Sequence, residues 1–277
     1  MPELPEVETV KRIIEPQLTG RTVLAVCVSH PGVIAWPDAG AFAAALTGRA
    51  FTGMGRRGKF LLFSLDNGDR MALHLRMTGQ ALVTSEGFPP EKHTHLTLAL
   101  SGGVQFRYTD PRRFGRFWYF RQGEADTATG MERLGPEPDD PILTAQYLRQ
   151  KLATKNRPVK EMLHDQSVVA GIGNIYSDEI LFSARIYPET RCADLNAEEW
   201  QRLAAAIPAV IAWGIETNSM TPEEYLAGKG REYGNMDGFR AYGRRGKPCS
   251  VCGTLMERTV ICGRSSCYCP SCQKKRP

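Results

Sequence analysis

The chain has 277 residues, of which 42% are hydrophobic and 23% charged, and its 35 basic and 30 acidic side chains leave a net charge of +5. This composition excludes disordered, collagen-like and small cystine-rich proteins, and the length predicts roughly two domains. No apolar run is long enough for a transmembrane helix, and the N-terminus lacks the apolar core of a secretion signal. We therefore expect a cytoplasmic monomer with no membrane partner.

Residues 1–135 are predicted to form a first domain, an antiparallel β-sandwich preceded by a helix. Apolar residues at helical spacing from Val7 to Ile14 predict that helix, and Pro5 suits its first turn. Short runs rich in β-branched and aromatic residues, separated by turn signals, predict the strands. These runs are Val23–Val28, Phe60–Leu65, Met71–Met77, His95–Leu100, Val104–Tyr108 and Phe117–Phe120.

Residues 136–240 are predicted to form a second, helical domain, which makes the whole chain an α+β multidomain protein. The predicted helices lie around Tyr147–Leu152, Val159–Leu163, Ile175–Ile186 and residues 197–214. Asn196 and Glu199 have the spacing of a reciprocal cap for the last helix. Residues 216–240 are Gly-rich and polar, and this composition predicts a mobile loop.

Residues 241–277 are predicted to form a third domain, a β-hairpin zinc finger. Six of the eight cysteines lie between residues 249 and 272, and four of them form two Cys-x2-Cys pairs separated by 16 residues. Two such pairs bring four thiolates within reach of one ion, and zinc suits four soft ligands in a closed site. We therefore expect one structural Zn²⁺, bound by Cys249, Cys252, Cys269 and Cys272. Cys267 lies two residues before Cys269 and could compete with it as the third ligand.

The distribution of charge points to a nucleic-acid partner. Residues 240–277 contain nine Lys or Arg and a single acid, Glu257, and further cations cluster at residues 56–59 and 112–113. Strongly basic segments are typical of proteins that bind a phosphate backbone, although a solvated basic tail has the same composition.

The N-terminus carries residues suited to covalent chemistry on a sugar. Removal of Met1 would leave Pro2 with a free secondary amine, whose ordinary pKa leaves part of it unprotonated at neutral pH. Such an amine can add to a sugar carbon and form an iminium, which is an electron sink for elimination. Glu3 and Glu6, at helical spacing beside it, are candidate general acids or bases.

Several short segments, in this order, make the chain resemble the formamidopyrimidine-DNA glycosylase (Fpg) family over essentially its whole length. They are MPELPEVETV at the start, Arg57-Gly58-Lys59-Phe60, His74-Leu75-Arg76-Met77, Asp110-Pro111-Arg112-Arg113-Phe114-Gly115, Val169 to Tyr176, and Tyr242-Gly243 before the cysteine finger. Leu4 favours this family over the related endonuclease VIII, which usually has Gly at that position.

The resemblance implies a bifunctional glycosylase and abasic-site lyase that flips an oxidised purine out of double-stranded DNA. Pro2 would attack the sugar C1′, Glu3 would move protons, and Glu6 and Lys59 would support the site. Strand cleavage by β- and δ-elimination would follow. The protein would accordingly work in the cytoplasm in association with the nucleoid.

The resemblance also assigns DNA-binding residues. Met77, Arg112 and Phe114 would fill the space left by the flipped base, since Met is adaptable, Phe can wedge a base step and Arg can hydrogen-bond the orphaned base. For Met77 and Phe114 the residues alone leave ordinary core packing open. The remaining candidates, all for phosphate contacts, are His74, Asn174, Arg258 and Arg264, with Asn174 at a helix N-terminus that would present free N–H groups.

Two alternatives remain open on the sequence. One is an endonuclease VIII-like preference for oxidised pyrimidines, because residues 214–220 depart from the Gly-Gly-Thr/Ser stretch that often precedes the loop over the flipped base. The other is a non-catalytic zinc-ribbon DNA-binding protein, which would have no use for the combination of Pro2, Glu3 and Lys59.

Overall fold

The structure, a computed structural model, describes residues 2–234 and 238–275. The seven α-helices in this part of the chain are α1 (Leu4–Leu18), α2 (Ala39–Leu46), α3 (Ala145–Leu152), α4 (Val159–Leu163), α5 (Asn174–Ala184), α6 (Ala197–Thr217) and α7 (Pro222–Ala227). The strands are β1 (Val23–Val28), β2 (Ile34–Trp36), β3 (Phe51–Arg57), β4 (Phe60–Leu65), β5 (Arg70–His74), β6 (Gln80–Ser85), β7 (Thr94–Leu100), β8 (Val104–Thr109), β9 (Arg116–Phe120), β10 (Glu257–Ile261) and β11 (Arg264–Tyr268).

The described residues divide into two compact units. The first unit comprises residues 2, 6–132 and 218–234, and the second comprises residues 3–5, 133–217 and 238–275. Met1, on whose removal the expected chemistry depends, lies outside the described residues. None of the described helices is long and apolar enough to cross a membrane.

The first unit is built on two sheets that share one apolar core. A four-stranded sheet has the order β1-β7-β8-β6, and a five-stranded sheet has the order β2-β9-β5-β4-β3. Edge-on contacts of Phe106 with Phe63 and Phe117 help to fill the core between them. The predicted β-sandwich is therefore confirmed, with the difference that β2 and β9 pair in parallel.

The strand predictions erred where alternation is weak. Strands β2, β3 and β6 have no counterpart among the predicted runs: β2 has three residues, β3 contains two glycines, and β6 is buried on both faces for most of its length. The strand predicted to reach Met77 ends at His74. Met77 consequently lies in an exposed turn rather than in a strand.

The second unit contains helices α3 to α6 and the hairpin of β10 and β11. The helices bury an apolar cluster that includes Ile172, Tyr176, Ile180 and Ile207. Asn196 and Glu199 form the predicted reciprocal cap of α6, and Pro208 lies inside this helix without ending it. The predicted β-hairpin at the C-terminus is confirmed.

The loop predicted for residues 216–240 is wrong over its first half. Residues 222–227 form α7, which begins with a capping box between Thr221 and Glu224. Tyr225 is buried in the core of the first unit, so this segment is held by packing as well as by its cap. Residues 235–237 of the predicted loop lie outside the described residues.

Candidate active site

The carboxylate of Glu3 binds the N-terminus of α5. It accepts hydrogen bonds from the backbone N–H groups of Gly173 at 2.8 Å, Ile175 at 2.9 Å and Tyr176 at 3.2 Å. These N–H groups have no partner inside the helix, and the positive end of the helix dipole favours an anion. Glu3 is buried, and backbone N–H groups bind both of its oxygens.

Gly173 is the residue that permits this contact. A Cβ atom at this position would lie 2.4 Å from Cδ of Glu3, far inside van der Waals contact. The sequence prediction that Asn174 and this helix N-terminus contact phosphate stays a prediction, but not all of the N–H groups are free for it. Three of these groups already bind the chain's own carboxylate, supplied from 170 residues away.

Glu6 has a separate donor in the first unit. The Nδ2 group of Asn218 donates to Oε1 of Glu6 at 3.0 Å, and both side chains are buried. Asn218 is part of the segment that departs from the usual Gly-Gly-Thr/Ser pattern. Sequence reasoning did not identify it as a site residue, because nothing local indicates that its amide meets residue 6.

Lys59 is positioned by a hairpin turn. Gly58 and Lys59 join β3 to β4, and Gly58 adopts a φ of 52°, which glycine accepts without strain. Lys59 is half-buried and Pro2 is buried, both in the first unit. The positive charge of Lys59 also lowers the pKa of His74, another candidate site residue.

His74 is a neutral imidazole in this fold. Burial, followed by the charges of Arg76 and Lys59, lowers the pKa of His74 to about 3. Its Nδ1 accepts the backbone N–H of Arg76 at 3.0 Å, so the ring hydrogen is on Nε2. Any contact of His74 with phosphate would therefore be a neutral hydrogen bond rather than an ion pair.

This environment predicts a pH-dependent stability. Because the unfolded chain binds a proton near pH 6.5 and the folded chain only near pH 3, the free energy of unfolding should fall as the pH drops below 6.5. His74→Asn keeps an acceptor for Arg76, and it should remove about 2 kcal/mol of the difference between pH 7.5 and 5.0. Chemical unfolding at both pH values measures this effect. An equal loss of unfolding free energy between pH 7.5 and pH 5.0 in wild type and His74→Asn would contradict this prediction.

Met77, Arg112 and Phe114 form one exposed cluster. The guanidinium of Arg112 lies 4.6 Å from the ring centre of Phe114 and donates to the sulfur of Met77 at 3.3 Å. Met77 and Phe114 are each 45% exposed. This exposure rules out the core packing that the residues alone left open. The three side chains that the resemblance brought together are neighbours in the structure.

The other candidates for phosphate contacts lie in the second unit. Arg258 and Arg264 are exposed on β10 and β11, with Arg264 directly after the turn of the hairpin. Asn174 is half-buried at the start of α5, and its side chain contacts Tyr242.

The four predicted zinc ligands converge. The Sγ atoms of Cys249, Cys252, Cys269 and Cys272 all lie within 4.8 Å of one another. The Cys252 sulfur is 3.5 Å from those of Cys269 and Cys272, close to the S–S separation of about 3.8 Å that Zn–S bonds of about 2.3 Å give in a tetrahedron. Cys267, the sulfur nearest in sequence, is not in this group. The residues thus fit one structural zinc ion.

Buried charges join the zinc finger to α5. Asp178 accepts hydrogen bonds from the Lys160 ammonium at 2.5 Å, the Ser266 hydroxyl at 2.6 Å and the Cys267 N–H at 3.0 Å. The next residue, Glu179, accepts three backbone N–H groups from residues 240–242. Sequence reasoning missed both carboxylates; charged side chains on an otherwise apolar helix were the available signal.

Comparison with known proteins agrees with this geometry. Residues 1–117 match the formamidopyrimidine-DNA glycosylase N-terminal domain, residues 134–224 match the H2TH domain of the same enzymes, and residues 246–275 match the zinc finger found in Fpg and isoleucyl-tRNA synthetase. The chain belongs to the formamidopyrimidine-DNA glycosylase family. A glycosylase of this name from Moorella thermoacetica is 46% identical over 93% of this chain and 94% of its own, and one from Desulforamulus reducens is 41% identical over the full length of both.

Solved structures of family members extend the comparison to DNA complexes. Lactococcus lactis Fpg bound to DNA containing Fapy-dG has a TM-score of 0.87 at 31% identity, over 99% of this chain and 100% of that one. The same enzyme bound to DNA containing an oxidised pyrimidine has a TM-score of 0.88 at 31% identity, with the same coverage. Membership in the Fpg family places this chain among DNA glycosylases with abasic-site lyase activity.

Proposed function

We propose that the chain excises oxidised purines, including 8-oxoguanine and formamidopyrimidines, from duplex DNA and then cleaves the strand. The observation that carries this proposal is the Glu3 carboxylate, which the N-terminus of α5 holds and which belongs to the residue after Pro2 in the sequence. A proton-transfer group held by three backbone donors, on the residue that follows a potential secondary amine, is suited to sugar chemistry. A protein that only binds DNA would have no need of it.

In this reaction the Pro2 nitrogen bonds to C1′ of the damaged nucleotide while the bond from C1′ to the base breaks, and the base leaves as an anion that takes a proton from water. The Pro2 N–H proton passes to the Glu3 carboxylate, which delivers it to the ring oxygen as the C1′–O4′ bond opens and leaves an iminium between Pro2 and C1′. Loss of a proton from C2′ expels the 3′ phosphate, and a second elimination expels the 5′ phosphate. Lys59 and Glu6 support the site through their charges.

The DNA-binding residues divide by their chemistry. Met77, Arg112 and Phe114 fill the space left by the flipped base, since they form one exposed cluster that can enter a base stack. His74, Asn174, Arg258 and Arg264 contact the phosphate backbone. One structural zinc ion holds the hairpin that carries the two arginines.

We also propose the domain limits 1–135, 136–240 and 241–277, which the three matched family regions support. Within the second of these, residues 218–234 fold with the first compact unit. Because the substrate is chromosomal DNA, we propose that the protein is a cytoplasmic monomer that associates with the nucleoid.

Borohydride trapping tests the mechanism. Protein with a free Pro2 should form a covalent adduct with a duplex that carries 8-oxoguanine opposite cytosine, and peptide mass spectrometry should locate the adduct on Pro2. The matched control is the same chain with an uncleavable N-terminal extension, in which the Pro2 nitrogen is an amide and cannot attack C1′. Tight binding without trapping by the free protein would leave only a DNA-binding role.

A second substrate tests which class of oxidised base the chain prefers. The L. lactis enzyme has been crystallised with an oxidised pyrimidine in its DNA, and the segment around Asn218 differs here from the usual family pattern. A duplex with an oxidised pyrimidine should trap more slowly than one with 8-oxoguanine. Trapping only with the pyrimidine would keep the mechanism and replace purines by pyrimidines as the substrate.

A further inference from the structure

Asp110 is a buried carboxylate at the start of the segment that carries Arg112 and Phe114. Its side chain is fully buried in the first unit. Isolated charges are expensive to bury, so the donors around such a group indicate what it stabilises. The donors here come from two separate segments of the chain.

One oxygen of Asp110 links both segments. Oδ1 accepts the Thr78 hydroxyl at 2.5 Å and the Arg112 backbone N–H at 3.1 Å. Thr78 directly follows Met77. The same oxygen therefore joins the turn that carries Met77 to the turn that carries Arg112.

The other oxygen closes the second segment. Oδ2 accepts the Gly115 N–H and the Tyr108 hydroxyl, each at 2.9 Å. Together the two oxygens hold backbone groups on both sides of Phe114. Burial by itself would raise the pKa of Asp110, but hydrogen bonds from Gly115, Thr78, Tyr108 and Arg112 lower it, so the carboxylate is ionised and accepts all four bonds at neutral pH.

Two glycines pack closely against the Tyr108 hydroxyl that donates to Asp110. A Cβ at Gly115 would lie 1.8 Å from the Tyr108 hydroxyl, and one at Gly79 would lie 2.6 Å from it. The turns themselves are strained, since Arg76 and Arg113 have φ values of 56° and 58°. Conformations of this kind persist only where surrounding contacts hold them, and Asp110 supplies such contacts to both turns.

We propose that Asp110 is a positioning residue, which holds Met77, Arg112 and Phe114 in one arrangement before DNA arrives. The inference rests on the void-filling role given to these three residues under the proposed function. A cluster ordered in advance does not have to be ordered at the moment of insertion, so more of its contact energy remains available for base flipping. Asp110 itself need not touch the DNA.

Two variants loosen the arrangement to different extents. Asp110→Asn keeps the size of the side chain but replaces one acceptor oxygen with an N–H2 group, which breaks part of the link. Thr78→Val removes only the bond to the Met77 turn. Because it leaves the carboxylate and its other three donors in place, it tests the proposal even if Asp110→Asn does not fold. The matched control is Asp69→Asn, because Asp69 also accepts a tyrosine hydroxyl, a backbone N–H and a side-chain amide, from Tyr119, Gln122 and Asn67.

The experiment compares two reactions that differ in their need for base flipping. Excision of 8-oxoguanine from a duplex requires the void-filling residues, whereas cleavage of a preformed abasic site in single-stranded DNA requires only the imine chemistry. Asp110→Asn should slow duplex excision about ten-fold or more, and Thr78→Val should slow it less. Both variants should cleave the single strand at a rate within about two-fold of wild type. Asp69→Asn should stay within about two-fold of the wild-type rate in both reactions.

Fluorescence of 2-aminopurine placed next to the lesion gives an independent readout. When protein and duplex are mixed, the rise in 2-aminopurine fluorescence reports unstacking. This rise should be slower with Asp110→Asn and Thr78→Val than with wild type and Asp69→Asn. Equal losses in both reactions, or unchanged duplex excision and unstacking in Thr78→Val and Asp110→Asn, would overturn the proposal. Failure of wild type to cleave the abasic single strand would instead contradict the proposed function.

Discussion

Replacement of Gly173 by Ala should lower the single-turnover rate of base excision about a hundred-fold, the order of loss that follows a misplacement of about 1 Å in an active site. The added Cβ would lie 2.4 Å from Cδ of Glu3 and 2.5 Å from its Oε1. Since backbone and carboxylate cannot both keep their positions, Glu3 should leave the N-terminus of α5. The measurement is excision from a duplex that contains 8-oxoguanine, with enzyme in excess.

The loss should be specific to catalysis. Affinity for a duplex with a stable abasic-site analogue should change little, because the substitution adds one methyl group and removes no cation. Gly87→Ala is the matched control, since a Cβ at Gly87 meets nothing within 4 Å. Excision by Gly173→Ala within about three-fold of wild type would contradict the assigned role of Glu3.

Removal of zinc should abolish tight DNA binding. The hairpin of β10 and β11 has little apolar core of its own, so its fold depends on the four thiolates around the ion. Without zinc, Arg258 and Arg264 lose their fixed positions. Affinity for duplex DNA should fall about a hundred-fold or more, and the slope of log K against log salt should become shallower by about one for each phosphate that the protein no longer neutralises.

Two cysteines in the same strand region provide the controls for this prediction. Cys269→Ser should lose the ion, measured as zinc per chain after chelator washing, and should bind DNA as weakly as the metal-free protein. Cys267→Ser should keep one zinc per chain, because the Cys267 thiol lies outside the four-cysteine group and it is the backbone N–H of this residue that donates to Asp178. Loss of zinc from both variants would overturn the ligand assignment.

Helix α5 gives these two predictions a common physical basis. Its first turn binds Glu3, and its second turn carries Asp178 and Glu179, which hold β11 and residues 240–242. Since one short helix orients the proton-transfer group and anchors the finger, its charged residues contribute to both functions. The Lys160 ammonium compensates part of the buried charge at Asp178.

Local patterns were sufficient for much of the fold. Strands β1 and β4 have the predicted limits, the Asn196–Glu199 cap starts α6 as expected, and the two Cys-x2-Cys pairs identify all four ligands. Each of these features depends on residues close in sequence. Strand β3 was missed because its two glycines interrupt the alternation, and α7 was missed because its capping box lies in a Gly-rich segment.

The sequence by itself thus determined the family, the zinc ligands and the residue types of the candidate active site, because motifs and spacings record them directly. Only the tertiary structure decided that Glu3 caps α5, that Asn218 donates to Glu6 and that Asp110 joins the Met77 and Arg112 turns. Each of these contacts joins residues that lie 32 to 212 positions apart. A backbone N–H or a buried carboxylate carries no sequence signal of its partner, so chain folding alone determines which groups meet.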